Sequence, residues 1–106
     1  MKVLFDNCVP APLRRVLRFH EVTLASDLGW EELENGDLIA RAEAAGFDLL
    51  ISTDQNIRYQ QNLSGRNIAL LIVMTQNWPK LKPHAAKVAT LVDDIAPGDY
   101  REFFIA

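Results

Sequence analysis

Short apolar runs alternate with amphipathic stretches along the chain, and this alternation sets the expected elements. Residues 2–5 are apolar and β-favouring, and the run stops at Asp6-Asn7-Cys8-Val9-Pro10. Pro10 and Pro12 cannot donate to a strand ladder but suit a first helical turn. Residues 10–19 then read as a helix, with Leu13, Val16 and Leu17 on one side and Arg14, Arg15 and Arg18 on the other. Residues 21–24 form a second short strand, followed by an irregular acidic stretch through Glu31, Glu32 and Glu34. Asn35 is read as an N-cap for a helix over residues 36–45, whose stripe is Leu38, Ile39, Ala42 and Ala45 and which Gly46 ends. Residues 48–52 and 68–74 are continuous apolar runs, the pattern of strands covered on both faces. Between them residues 53–65 are polar, with a helical turn at 58–62. After Trp78-Pro79 one long helix takes in Val88, Leu91, Val92 and Ile95 up to Pro97-Gly98, and residues 100–105 make an edge strand.

Strands alternating with helices, and strands apolar on both sides, imply an α/β fold: a three-layer α/β/α sandwich with a mostly parallel sheet and right-handed crossovers. At 106 residues the chain has room for one domain, 1–106. Its 49% apolar and 24% charged composition is that of a soluble globular protein. Fourteen acidic residues against eleven basic ones leave a net charge of −3, so nucleic acid cannot be drawn in by the overall field and any contact with it is local. The lone Cys8 cannot close an intrachain disulfide, and two distant histidines do not complete a structural zinc site. With no signal-peptide core and no membrane-length apolar run, the expected location is the cytoplasm.

In open α/β sheets ligands bind beyond the carboxyl ends of the strands. Three acids fall there: Asp6 after the first strand, Asp54 after the third, and Asp37 in the first turn of the helix before it. Two carboxylates ~4 Å apart repel by ~4 kcal/mol at an effective dielectric of about 20, so a converging trio calls for a cation or a proton. Mg²⁺ or Mn²⁺ would supply that charge and activate water for phosphodiester hydrolysis. Each acid taken singly also has a plainer role, Asp37 as a helix-dipole partner and Asp54 with Asn56 as an Asx turn.

The order Val3-Leu4-Phe5-Asp6-Asn7-Cys8-Val9-Pro10, then Asn35-Gly36-Asp37-Leu38-Ile39, then Gly46-Phe47-Asp48-Leu49-Leu50-Ile51-Ser52-Thr53-Asp54-Gln55-Asn56-Ile57, resembles the short bacterial branch of the PIN-like domains. The resemblance implies an α/β sandwich whose clustered acids bind Mg²⁺ or Mn²⁺, in a family dominated by ribonucleases, many of them toxins of toxin–antitoxin pairs. Carried over residue by residue, it makes Asp6 and Asp54 direct metal ligands and Asp37 a ligand or the orienter of the attacking water. Asn7, Thr53 and Asn56 are secondary candidates. The chain departs from the pattern where relatives read Asp-Glu-Asn at the first motif, with Asn7 in place of the acid and Cys8 in place of the amide, and at Asn56, where a second acid is common. Losing two charges weakens a second metal site and points to a single metal. The implied partners are single-stranded RNA, a small antitoxin protein and a second copy of the chain.

Arg58 and Tyr59, beside Asp54, suit a phosphate and a stacked base, and equally a capped polar turn. Arg14, Arg15 and Arg18 read as solvated surface, Cys8 as a packed thiol, His20 and His84 as surface or capping residues, and Trp30 and Trp78 as anchors packing loops onto the sheet. Thr75 and Asn77 read as a strand-terminal turn on the acidic rim. Three functions follow: a metal-dependent ribonuclease, a catalytically weakened PIN-like domain that binds RNA or a protein partner, and a phosphoacceptor domain using Asp54 and Thr75. The third lacks the paired acid at the first strand and a lysine after the fifth.

Overall fold

The structure, a computed structural model, describes residues 1–54, 66–73 and 75–104. Five strands, β1 (Lys2–Phe5), β2 (Glu21–Leu24), β3 (Leu49–Ser52), β4 (Ala69–Val73) and β5 (Tyr100–Phe103), lie in the order β2-β1-β3-β4-β5 with every neighbouring pair parallel. Three α-helices are described, α1 (Asn35–Ala44), α2 (Trp78–Leu81) and α3 (Ala85–Asp94), together with 3-10 segments at Ala11–Val16, Ala25–Leu28 and Lys82–His84. The central strands β3 and β4 are buried along their whole length, which is why they read as unbroken apolar runs. The edge strands β2 and β5 are only partly covered.

Strand alternation sorts the core into two layers. Val3, Phe5, Leu49, Ile51, Leu71 and Val73 face Leu13 and Leu17 of the first 3-10 region and Val88 and Val92 of α3. Leu4, Leu50, Leu70 and Ile72 face Leu38, Ile39 and Ala42 of α1, with Phe47 beside them and Trp30 edge-on to the Phe47 ring at 6.3 Å. The sheet thus carries helical structure on both faces. Among the described residues no helix is long and apolar enough to cross a membrane.

Several elements depart from the sequence expectation, each for a local reason. The helix expected over residues 10–19 is a 3-10 segment, Ala11–Val16. Pro10 and Pro12 remove two donors at its start, and six residues at about 2.0 Å rise span ~12 Å, close to the ~13 Å of a four-residue strand. The chain then turns, with the His20 amide donating to the Leu17 carbonyl, in time to set Glu21 beside Lys2. The cap of α1 falls on Glu34, whose carbonyl accepts from the Leu38 amide at 2.7 Å, so Asn35 is the first helical residue rather than the cap. The long C-terminal helix is broken at Lys82–His84, because Pro83 has no amide to donate and crowds the preceding turn. The helical turn expected at 58–62 lies outside the described residues.

Crossover hand also departs from expectation. The β1–β2 connection passes over the first face in one direction, and the β2–β3 connection, α1, passes over the second face in the other, so they share a hand. The β4–β5 connection runs in the direction of β2–β3 but puts α3 on the first face, which gives it the opposite hand. Burial explains this: a six-residue 3-10 segment cannot cover Val3, Phe5, Leu49 and Ile51, and α3 packs beside it to close that face.

Side chains tie the layers at the C-terminal end of α1. Glu43 accepts hydrogen bonds from the Asn67 amide at 2.8 Å and the Ile68 amide at 3.3 Å, and pairs with Arg66 at 3.5 Å, clamping α1 to the entry of β4. At the helix end the Lys2 ammonium donates to the Ala45 carbonyl at 2.9 Å and sits over the Phe47 ring at 4.5 Å. His20 is half-buried at the surface and has partners on both ring nitrogens. Its side chain is 12% exposed, its Nε2 lies 2.7 Å from Asp93 Oδ1 at the end of α3, and its Nδ1 lies 3.1 Å from the Met1 amine. Near the other end of α3, the His84 ring lies against Phe103, centroid to centroid 6.1 Å.

The Glu43 clamp carries a pH signature. Its carboxyl is held below the ordinary value of 4.5, chiefly by the Asn67 and Ile68 amides and then by Arg66. A carboxylate depressed on folding contributes stability above its unfolded pKa and loses it as pH falls through its folded pKa. Urea unfolding of Glu43→Gln is therefore expected to show lower stability than the parent at neutral pH, with the gap closing as pH drops below about 4. A gap that stays constant down to pH 3 would show the carboxylate charge to be irrelevant.

Candidate functional site

The chain leaves β1 toward β2 on one side and later enters β3 on the other, so the order of strands reverses between β1 and β3. At such a reversal the connections diverge and open a crevice beyond the strand ends. Asp6 directly follows β1, and Asp54 lies two residues past the end of β3. The register pairs Leu4 with Leu50 and Phe5 with Ile51, so Asp6 comes level with Ser52, on the face that carries α1.

Ser52 joins the two acids. It is fully buried, at 0% exposure, and its hydroxyl donates to Asp6 Oδ2 at 2.7 Å while accepting the Asp54 amide at 3.1 Å. The other oxygen of Asp6, Oδ1, accepts the Asn7 amide at 2.7 Å, and the Asp6 amide donates to the Ile51 carbonyl at 2.9 Å. Each carboxylate oxygen of Asp6 therefore has one hydrogen bond and retains acceptor capacity. Asp6 and Asp54 are both half-buried.

Sequence reasoning passed over Ser52 in favour of its neighbour Thr53. The signal was present in the strand's alternation, which places residue 52 on the same face as Leu50. A polar group there has to find a partner, and the parallel register offers Asp6.

The remaining candidates sit as follows. Asp37 lies in the first turn of α1 and is exposed, and among the described residues no hydrogen bond or ion pair reaches its carboxylate. No group of three His, Cys, Asp or Glu among the described residues is arranged to hold a metal ion. Asn7 is exposed at the tip of the turn after β1, which the Val9 amide closes onto the Asp6 carbonyl at 3.0 Å. Thr53 is half-buried. Cys8 is exposed on the same turn, contrary to the packed thiol expected, because Val9 and not Cys8 turns into the core. Asn56, Arg58 and Tyr59 lie outside the described residues. Beyond β4 the Thr75 hydroxyl accepts the Asn77 amide at 3.0 Å, and the Asn77 side chain caps α2 through the Lys80 amide at 3.2 Å, so both serve the turn.

Chemically the rim carries the carboxylates of Asp6 and Asp54 as hard oxygen donors, while the Ser52 hydroxyl, fully buried and bonded on both sides, positions Asp6 rather than meeting an ion. Mg²⁺ and Mn²⁺ take such donors and commonly use only one or two carboxylates, completing their shell with water and phosphate oxygens. Two such carboxylates, Asp6 and Asp54, flank the strand reversal, and no third acid joins them among the described residues.

Ser52→Ala is expected to cost about 1–3 kcal/mol in chemical denaturation, because it strips the Asp6 carboxylate and the Asp54 amide of a buried partner. Stability within about 0.3 kcal/mol of the parent would show that water replaces the hydroxyl without loss.

No family model, curated protein or solved structure matches the chain.

Proposed function

We propose that this chain is a PIN-like, divalent-metal-dependent ribonuclease acting on single-stranded RNA. The observation carrying the reading is the Ser52 bridge, which holds the Asp6 carboxylate and the Asp54 backbone together at the strand reversal. Two further features support it: the two carboxylates Asp6 and Asp54 beside the reversal, and the motif order around Asp6, Asp37 and Asp54. In this reading Asp6 and Asp54 hold one Mg²⁺ or Mn²⁺, and Asp37, at the start of α1, completes the shell or orients the attacking water. When bound, the ion supplies charge for the phosphate oxygens and lowers the pKa of a bound water. The protein's part is to fix the Asp6 oxygens through Ser52 and Asn7, so that their positions do not depend on the substrate. The reaction is hydrolysis: water adds at phosphorus, the bond to the leaving ribose oxygen breaks, and that oxygen takes up a proton. As a small nuclease it fits the toxin role, with an antitoxin protein as controlling partner and a cytoplasmic setting.

Asn7 favours a second reading, a weakened domain that binds RNA or a protein partner without cutting. The amide there adds no charge beside Asp6, so a second metal has little to hold it.

Incubation of single-stranded RNA with Mg²⁺ or Mn²⁺ separates the two. The nuclease reading expects cleavage that EDTA abolishes, that Asp6→Asn and Asp54→Asn each reduce by about 100-fold or more, and that Ser52→Ala reduces by about 10–100-fold. Cleavage indifferent to both Asp substitutions would remove the assignment, and binding without cleavage would favour the second reading.

A further inference from the structure

Outside the rim, the strongest surface feature is the outer side of the Ala11–Val16 segment and the residues that follow it. Leu13 and Leu17 are spent on the core, which turns Arg14, Arg15 and Arg18 to solvent. Among the described residues none of the three makes an ion pair, although the chain carries more acids than bases. Arg14 and Arg15 line an open concavity of about 130 Å³ with Ala11 and Pro12. Next to this patch Phe19 is 88% exposed, and the Arg18 guanidinium lies 5.8 Å from its ring centroid.

An arginine pair beside a hollow and an exposed aromatic ring beside a third arginine are two halves of one recognition chemistry. Guanidinium forks match phosphate oxygens in a bidentate manner. An exposed ring offers a stacking surface to any unpaired base, and an adjacent arginine adds to it. An acidic peptide would use the charges but leaves the ring without a role, and a duplex keeps its bases stacked internally. The occupant these features fit is a single strand with both phosphates and free bases.

We propose that Arg14, Arg15, Arg18 and Phe19 form a track for single-stranded RNA along the outside of the first 3-10 segment. Pro10 caps the start of the segment, right after the turn that carries Asp6, Asn7 and Cys8, so in this proposal a strand on the track runs toward the acidic rim at that turn. Only this last step rests on the nuclease reading. Binding on the track needs neither metal nor cleavage.

The test is fluorescence anisotropy of a labelled 12-nucleotide single-stranded RNA in EDTA, over a range of salt. Arg14→Gln/Arg15→Gln is expected to weaken binding about tenfold and to lower the slope of log K against log salt by about 1.4, two single-strand phosphate contacts. Phe19→Ala is expected to weaken it about fivefold or more with the slope unchanged. Arg14→Lys/Arg15→Lys should keep the slope, and Arg41→Gln/Arg101→Gln, which removes the same charge elsewhere, should bind as the parent does. Equal weakening by that control, unchanged binding by Arg14→Gln/Arg15→Gln, or binding of polyglutamate but not RNA would each overturn the track. The two readings fail separately. Arginine-dependent binding with no metal-dependent cleavage removes the nuclease alone, and Asp6-dependent cleavage with binding indifferent to Arg14 and Arg15 removes the track alone.

Discussion

A buried hydroxyl has to be paired, and in this fold the constraint falls on Ser52. Its position at the end of β3, on the α1 face, leaves it no water, and the neighbouring parallel strand presents Asp6 at the same level. The pairing runs both ways: the core satisfies its one buried polar side chain among the described residues, and the acid has its oxygens fixed from below. The geometry at the head of β1 is therefore set by the same packing that stabilises the sheet. A group held in this way meets an incoming ligand without having to reorganise.

The architecture around that bridge is shaped by coverage of two apolar faces. Among the described residues one face is covered by α1, helped by Phe47 and Trp30. The other needs two pieces, since the first connection is too short to cover that face, and α3 fills the gap at the expense of a uniform crossover hand. Polar ties then lock the pieces. Glu43 holds α1 to β4, Lys2 holds the end of α1 to β1, and His20 holds the far end of α3 to the start of the sheet. All three act at the margins of the layers, where hydrogen bonds set register and the core supplies most of the stabilisation.

The strands were legible because apolar runs of four or five residues bounded by polar turns leave few alternatives, and β2 emerged with the boundaries expected. Helix type was less legible. Periodicity at Leu13, Val16 and Leu17 fits either helix, and only the distance to be spanned between β1 and β2 selects the tighter one. Pro83 was visible as a residue, yet whether a proline kinks or ends a helix depends on what the next turn packs against. At the rim, the placement of Asp6 after β1 and Asp54 after β3 followed from counting strands. The Ser52 link did not, because it requires knowing which two strands are neighbours and in what register. The same holds for His20, whose partner Asp93 is remote in sequence.

Cys8 has a practical side. It is the sole thiol in the chain, it is exposed, and it stands on the short turn whose amides contact Asp6. A maleimide dye or nitroxide placed there attaches at one position without any engineered cysteine. Its emission or line shape would register events at the neighbouring carboxylate while leaving both apolar layers untouched, so the molecule comes supplied with its own reporter position.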